Sequence, residues 1–138
     1  MSDSRPLPTV IGPTENALRA LLTRTLSMTP IAGYTAWVVL NTAEKVGHES
    51  ELRGAVESQL HAEPAVIDHA IADLRERGML GADGEGITST GAAVLESARA
   101  DVRAVTQGLV GDVTEADQEA TRRALDAIRR RAEQGLAR

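Results

Sequence analysis

The chain has 138 residues, enough for one domain with a real core, and its 42% hydrophobic, 25% charged composition excludes global disorder. The formal net charge is -5, and the absence of cysteine rules out disulfides, thiolate metal sites and cysteine nucleophiles while fitting a reducing cytosol. Tyr34 and Trp37 are the only aromatic residues, so the core has to be built from Leu, Val, Ile and Ala, chemistry that favours helices.

Pro and small polar residues dominate up to Pro13, which predicts an extended arm over residues 1–13 and a single domain over 14–138. Thr14 is placed to cap a first helix, 14–27, along which Leu18, Leu21, Leu22 and Leu26 recur at helical spacing. Pro30 disfavours helix at the residue before it, so a second helix is expected from about Pro30 to Val46, carrying Tyr34, Trp37, Val38, Leu40 and Ala43 and ended by Gly47. Ser50 caps a short third helix with Leu52, Ala55, Val56 and Leu60 on one face. After a turn at residues 61–63, Pro64 opens a fourth helix, with Val66, Ile67, Ala70, Ile71 and Leu74 as its expected buried stripe and Gly78 at its end. Asp83-Gly84 between short apolar pieces predicts a tight hairpin of two very short strands. Thr88 then caps a long helix with Val94, Leu95, Ala98, Val102, Val105 and Leu109 facing inward. Thr114, with Asp117 three residues on, resembles a capping box that opens a last helix carrying Ala120, Ala124, Leu125, Ile128 and Ala132. The N-terminus lacks a basic start followed by an apolar run, and no apolar stretch approaches ~18 residues, so a soluble, cytoplasmic chain with no membrane contact is expected.

The charge is unevenly spread. Residues 1–50 and residues 91–138 are each balanced, whereas residues 51–90 hold three basic groups, Arg53, Arg75 and Arg77, against eight carboxylates. That middle third therefore carries the whole acidic excess. Asp68, His69 and Asp73 cluster on the fourth helix while His48 and His61 are scattered, which is read as no metal site. Adjacent helical residues point in different directions, so Asp68 and His69 cannot orient each other for nucleophilic chemistry; no catalytic residue and no cofactor is expected. Tyr34 and Trp37, three apart on one helical face, serve either as core filling or as the wall of a crevice for a small amphipathic or aromatic ligand, with Arg19 and Arg24 able to meet a carboxylate there. Arg129, Arg130 and Arg131 read as a last-turn cluster favoured by the helix dipole and paired with Asp126 and Glu133.

Three stretches carry a likeness to a known family. Leu74-Arg75-Glu76-Arg77-Gly78-Met79-Leu80 is similar to a Leu-Glu-x-x-Gly-Leu ending of a recognition helix, Ile87-Thr88-Ser89-Thr90-Gly91 to a Leu-Thr-x-x-Gly after a wing, and Val113-Thr114-Glu115-Ala116-Asp117 to the start of a last helix. With the element order, they make residues 14–136 resemble the MarR family of bacterial transcriptional regulators. The resemblance implies a mainly α fold: a winged helix-turn-helix (about 30–90) with a very short β-hairpin wing, and long N- and C-terminal dimerisation helices, the latter about 88–136. It also implies a homodimer presenting two winged units to double-stranded DNA, and a small-ligand crevice between the dimer helices and the winged unit. On that reading Ala65, Asp68 and His69 face the major groove, His61 donates to phosphate, and Arg53, Arg75 and Arg77 touch the backbone.

The chain departs from the family on the DNA side. Asp68-His69 stands where members commonly have Thr-Arg, and the wing is the short acidic loop Gly81-Ala82-Asp83-Gly84-Glu85-Gly86. Phosphate neutralisation provides most non-specific affinity, and this segment is a poor source of it. Three functions stay open: a ligand-responsive DNA-binding regulator, the same fold with DNA binding lost and the crevice used for small-molecule binding or catalysis, and a protein-interaction antirepressor.

Overall fold

The computed structural model describes residues 2–47, 49–82 and 86–138, the side chain of Glu49 excepted. Its helices are α1 (Leu7–Leu26), α2 (Tyr34–Lys45), α3 (Glu49–Leu60), α4 (Pro64–Glu76), α5 (Ser89–Leu109) and α6 (Glu115–Leu136). The chain divides into two units, Met1–Val102 and Arg103–Arg138.

In the first unit, α2, α3 and α4 pack against one another, and α1 packs against α2. Their shared core is aliphatic, as the lack of Phe requires: Leu26, Val39, Leu40, Val56, Ile67, Leu74 and Leu95 are essentially without solvent contact. Removing such side chains from water supplies about 1.5–3 kcal/mol each. One polar side chain lies among them. Thr42 satisfies its hydroxyl by donating to the Val38 carbonyl at 2.7 Å and accepting from Gln59 Nε2 at 2.9 Å, which ties α2 to α3.

The N-terminal helix starts seven residues earlier than its sequence suggests. Residues 7–13 are helical, and the expected arm is confined to the residues before Leu7. Pro8 stands in the first turn, where its missing N–H costs nothing, and Pro13 inside the helix removes one bond that the flanking turns tolerate. Thr14 is not a cap; its hydroxyl donates back to the Val10 carbonyl at 2.7 Å. Leu7, Val10 and Ile11 extend the stripe of Leu18, Leu21 and Leu22 on this helix, yet only Leu26 is buried.

The second helix, by contrast, starts later. Ala32 adopts φ 60°, and extended Gly33 precedes Tyr34, so neither residue can belong to a helix that begins at Pro30. In α4, Ile67, Ile71 and Leu74 are buried as expected, but Val66 is 49% exposed and falls outside the stripe.

The wing base is a compact knot. Leu80 and Ile87 form an antiparallel bridge, and Gly81 N donates to the Gly86 carbonyl at 2.9 Å. That bridge is all that the described residues show of the two expected strands; the Asp83-Gly84 turn lies outside them. Gly78 adopts φ 79° beyond the end of α4, the left-handed conformation that glycine takes without penalty. Thr88 joins three segments: its N–H donates to the Met79 carbonyl (3.1 Å), its hydroxyl donates to the Gly78 carbonyl (2.6 Å), and the same oxygen caps α5 by accepting from Gly91 N (3.0 Å). A Cβ on Gly91 would lie 2.1 Å from the Met79 carbonyl oxygen, so this position has to be glycine. The Thr-x-x-Gly motif is thus the lock between the end of α4 and the start of α5.

In the second unit, Thr114 caps α6 by accepting from Asp117 N at 3.2 Å, as its spacing predicts. No residue of α6 is buried, and Leu125 and Leu136 on it are well exposed. Arg129 pairs with Asp126 (3.3 Å) and Glu133 (3.7 Å), its expected partners.

Candidate nucleic-acid interface

Helices α3 and α4 meet at the turn of residues 61–63, where His61 adopts φ 51° and its N–H donates to the Glu57 carbonyl at 2.8 Å. The left-handed residue reverses the chain sharply enough for α4 to pack across α3. The first two turns of α4 expose Ala65, Val66 and His69, and the next exposes Ala72, Asp73 and Glu76. This face is apolar near its start and acidic toward its end.

The arginines around it already have partners within the chain. Arg53 on α3 brings Nε to 2.7 Å from Asp68 Oδ1 on α4. Arg77 lies 3.5 Å from Asp73 and also donates to the Pro30 carbonyl. Arg75 donates from Nε to the Gly81 carbonyl at 3.2 Å, bracing the wing base against α4. Of the residues expected to face DNA, Ala65, His61 and His69 are exposed, whereas Asp68 is half-buried and turned to Arg53. His69 and Asp73 stand one helical turn apart, but among the described residues no three His, Asp or Glu side chains converge as metal ligands.

Of the crevice residues, Arg19 and Tyr34 are brought together: the guanidinium lies 5.1 Å from the ring centroid while pairing with Glu15. Such a cation over a ring is worth ~0.5–1 kcal/mol at an exposed site. Tyr34 and Trp37 both pack partly buried against the core. Arg24 is exposed at the end of α1. Sequence reasoning missed a neighbouring network in which Arg99 on α5 donates to Asn41 Oδ1 from Nε (3.0 Å) and Nη2 (2.8 Å) and reaches Glu44 from Nη1 (3.0 Å). Asn41 in turn donates to the Trp37 carbonyl at 2.8 Å, joining α5 to the helix that carries both aromatics. A lone Arg 58 positions away from Asn41 leaves no local pattern to find.

The same fold recurs in solved structures. The DNA complex of the Mycobacterium tuberculosis MarR family protein Rv2887 superposes with a TM-score of 0.75 at 20% identity, covering 91% of this chain and 98% of that one. The chain has the MarR winged-helix fold. The salicylic acid complex of Rv2887 matches at a TM-score of 0.71 and 20% identity over 89% of this chain and 98% of that one. CouR from Rhodococcus jostii RHA1 bound to p-coumaroyl-CoA matches at 0.74 and 17% identity, over 91% and 92% of the two chains. No family model matches the sequence, and no curated protein does. Within the MarR fold, α3 and α4 are the helix-turn-helix, the Leu80–Ile87 bridge is the wing base, and α1, α5 and α6 are the flanking helices. Among the described residues no helix is long and apolar enough to cross a membrane.

Proposed function

We propose that this protein is a MarR-type transcriptional regulator that acts as a homodimer on double-stranded DNA. The observation that carries the reading is a fold shared over nine-tenths of the chain with a regulator solved on DNA, while one face of the first two turns of α4 stays exposed. In a helix-turn-helix the second helix enters the major groove and the first crosses the backbone. Ala65 and His69 would then face base edges, with Asp68 beside them, and His61, Arg53, Arg75 and Arg77 would lie toward phosphates. The dimer is supported by apolar side chains without cover, Leu7 and Leu18 on α1, Leu109 on α5, and Leu125 and Leu136 on α6. A second copy would bury them.

The crevice reading accompanies this one. Tyr34 and Trp37 offer ring faces, and Arg19 and Arg24 offer positive charge, to a small amphipathic molecule bearing a carboxylate. Salicylic acid, bound by Rv2887, is a suitable probe. Fluorescence anisotropy with a labelled duplex from upstream of the coding sequence tests the regulator. The expected result is a complex at low salt that weakens steeply as salt rises and loosens on addition of salicylate. No complex at low salt with dimer in excess would refute it.

A second reading keeps the fold and assigns the crevice to small-molecule binding or catalysis without DNA. It is favoured by the pairing of Arg53 with Asp68 and of Arg77 with Asp73, which consumes positive charge beside α4. Thermal stabilisation by small carboxylates, with DNA inert, would decide for it.

A further inference from the structure

The contact between Arg53 and Asp68 differs from the other ion pairs near α4. Among the described residues it is the one seen to bridge the two helices of the helix-turn-helix, with a side chain of α3 held by a side chain from the second turn of α4. Although Arg53 Nε comes to 2.7 Å, Asp68 Oδ1 is shielded from solvent and receives no hydrogen bond of acceptable alignment. The carboxylate therefore holds the guanidinium by charge rather than by a directed bond. Both side chains remain about half exposed, 55% and 44%, so the guanidinium can leave without unpacking the core. An anion that offers aligned oxygens, as a phosphodiester does, is a better partner for Arg53 than the one it has.

We propose that Asp68 is an internal phosphate mimic, occupying Arg53 so that this arginine joins the grip on duplex DNA only where DNA displaces the carboxylate. The inference rests on the regulator reading and explains how a chain so acidic in this third restrains non-specific binding. Electrostatic attraction to the phosphate backbone is independent of sequence, and an arginine already neutralised releases no counterion from DNA. Only a site whose base contacts add affinity would favour the exchange. Asp73 provides the internal comparison: it is also a carboxylate on α4 paired with an arginine, but Arg77 is additionally anchored to the Pro30 carbonyl and is not set loose by removing Asp73.

The test is fluorescence anisotropy of the full chain with two labelled duplexes, one of mixed sequence and one from upstream of the coding sequence, across a salt series. Asp68→Asn is expected to tighten binding to the mixed duplex by about 10- to 100-fold at low salt, and to steepen the plot of log K against log salt by about 2 per dimer. Arg53→Ala in the Asp68→Asn background should cancel the gain, and Asp68→Ala should reproduce it. Asp73→Asn changes the formal charge equally and should give a clearly smaller gain. An unchanged slope for Asp68→Asn, or an equal gain from Asp73→Asn, overturns the mimic. If the mixed duplex behaves so while the upstream duplex is bound by wild type, the regulator reading stands without it. Failure of wild type and Asp68→Asn on both duplexes overturns both.

Discussion

Replacing Gly91 with Ala tests the lock that sets the wing base against α4. The added Cβ would stand 2.1 Å from the Met79 carbonyl oxygen, 2.9 Å from its carbon and 3.0 Å from Ile87 Cγ1. Two of these obstacles are backbone, so relief demands that α5 or the wing base move by about an ångström. Overpacking of this kind costs about 1–3 kcal/mol even where side chains can yield. The movement also disturbs the Gly91 N to Thr88 Oγ1 bond and the two bonds from Thr88 to Met79 and Gly78. At about 1 kcal/mol each, loss of even one brings the total to about 2–4 kcal/mol. A domain holds only ~5–15 kcal/mol in reserve. Urea unfolding at one fixed protein concentration gives the value directly, since the stability of the proposed dimer would depend on concentration. Gly54→Ala is the control: this glycine lies within α3 with nothing within 4 Å of its added Cβ, so the change should stabilise by up to about 1 kcal/mol. A loss below about 1 kcal/mol for Gly91→Ala would refute the reasoning.

Further outcomes follow from the same geometry. Arg99→Ala should cost about 2 kcal/mol in thermal or urea unfolding, because its 24% exposed side chain makes charged hydrogen bonds to Asn41; Arg99→Lys should recover little of it, lacking the fork. His61→Gly should stabilise by about 0.5–1 kcal/mol by relieving the left-handed residue between α3 and α4, and unchanged or lower stability would mean the imidazole itself supports the turn. Thr114→Ala should cost about 1 kcal/mol and loosen amide-exchange protection at the start of α6 before anywhere else.

What could be read from the sequence was whatever local chemistry determines. The Thr88 and Thr114 caps, Gly78 at the end of α4, and the Ile67, Ile71, Leu74 stripe needed only spacing and turn chemistry, and the structure bears them out. Three helix starts were misjudged: α3 already includes Ser50, which therefore does not cap it, and the prolines did not set the starts of α1 and α2. Leu7, Val10 and Ile11 continue the apolar face of α1 and carry the helix past Pro8 and Pro13, while a left-handed Ala32 delays α2. On the candidate interface, exposure of Ala65 and His69 follows from helical phase. The commitment of Arg53 to Asp68, of Arg77 to Pro30 and of Arg99 to Asn41 does not, because each joins residues distant in sequence and depends on how the helices cross. Formal charge alone therefore overstated the positive charge available beside α4.

The central claim is that this MarR-fold chain acts on duplex DNA through a face whose arginines are largely occupied. It is tested most directly by titrating the wild-type protein onto upstream duplex and onto mixed-sequence duplex from low to physiological salt. The account predicts binding to both at low salt, with only the upstream duplex retained as salt rises. Tight binding to mixed-sequence DNA at physiological salt, or no binding to either duplex at low salt, would contradict it.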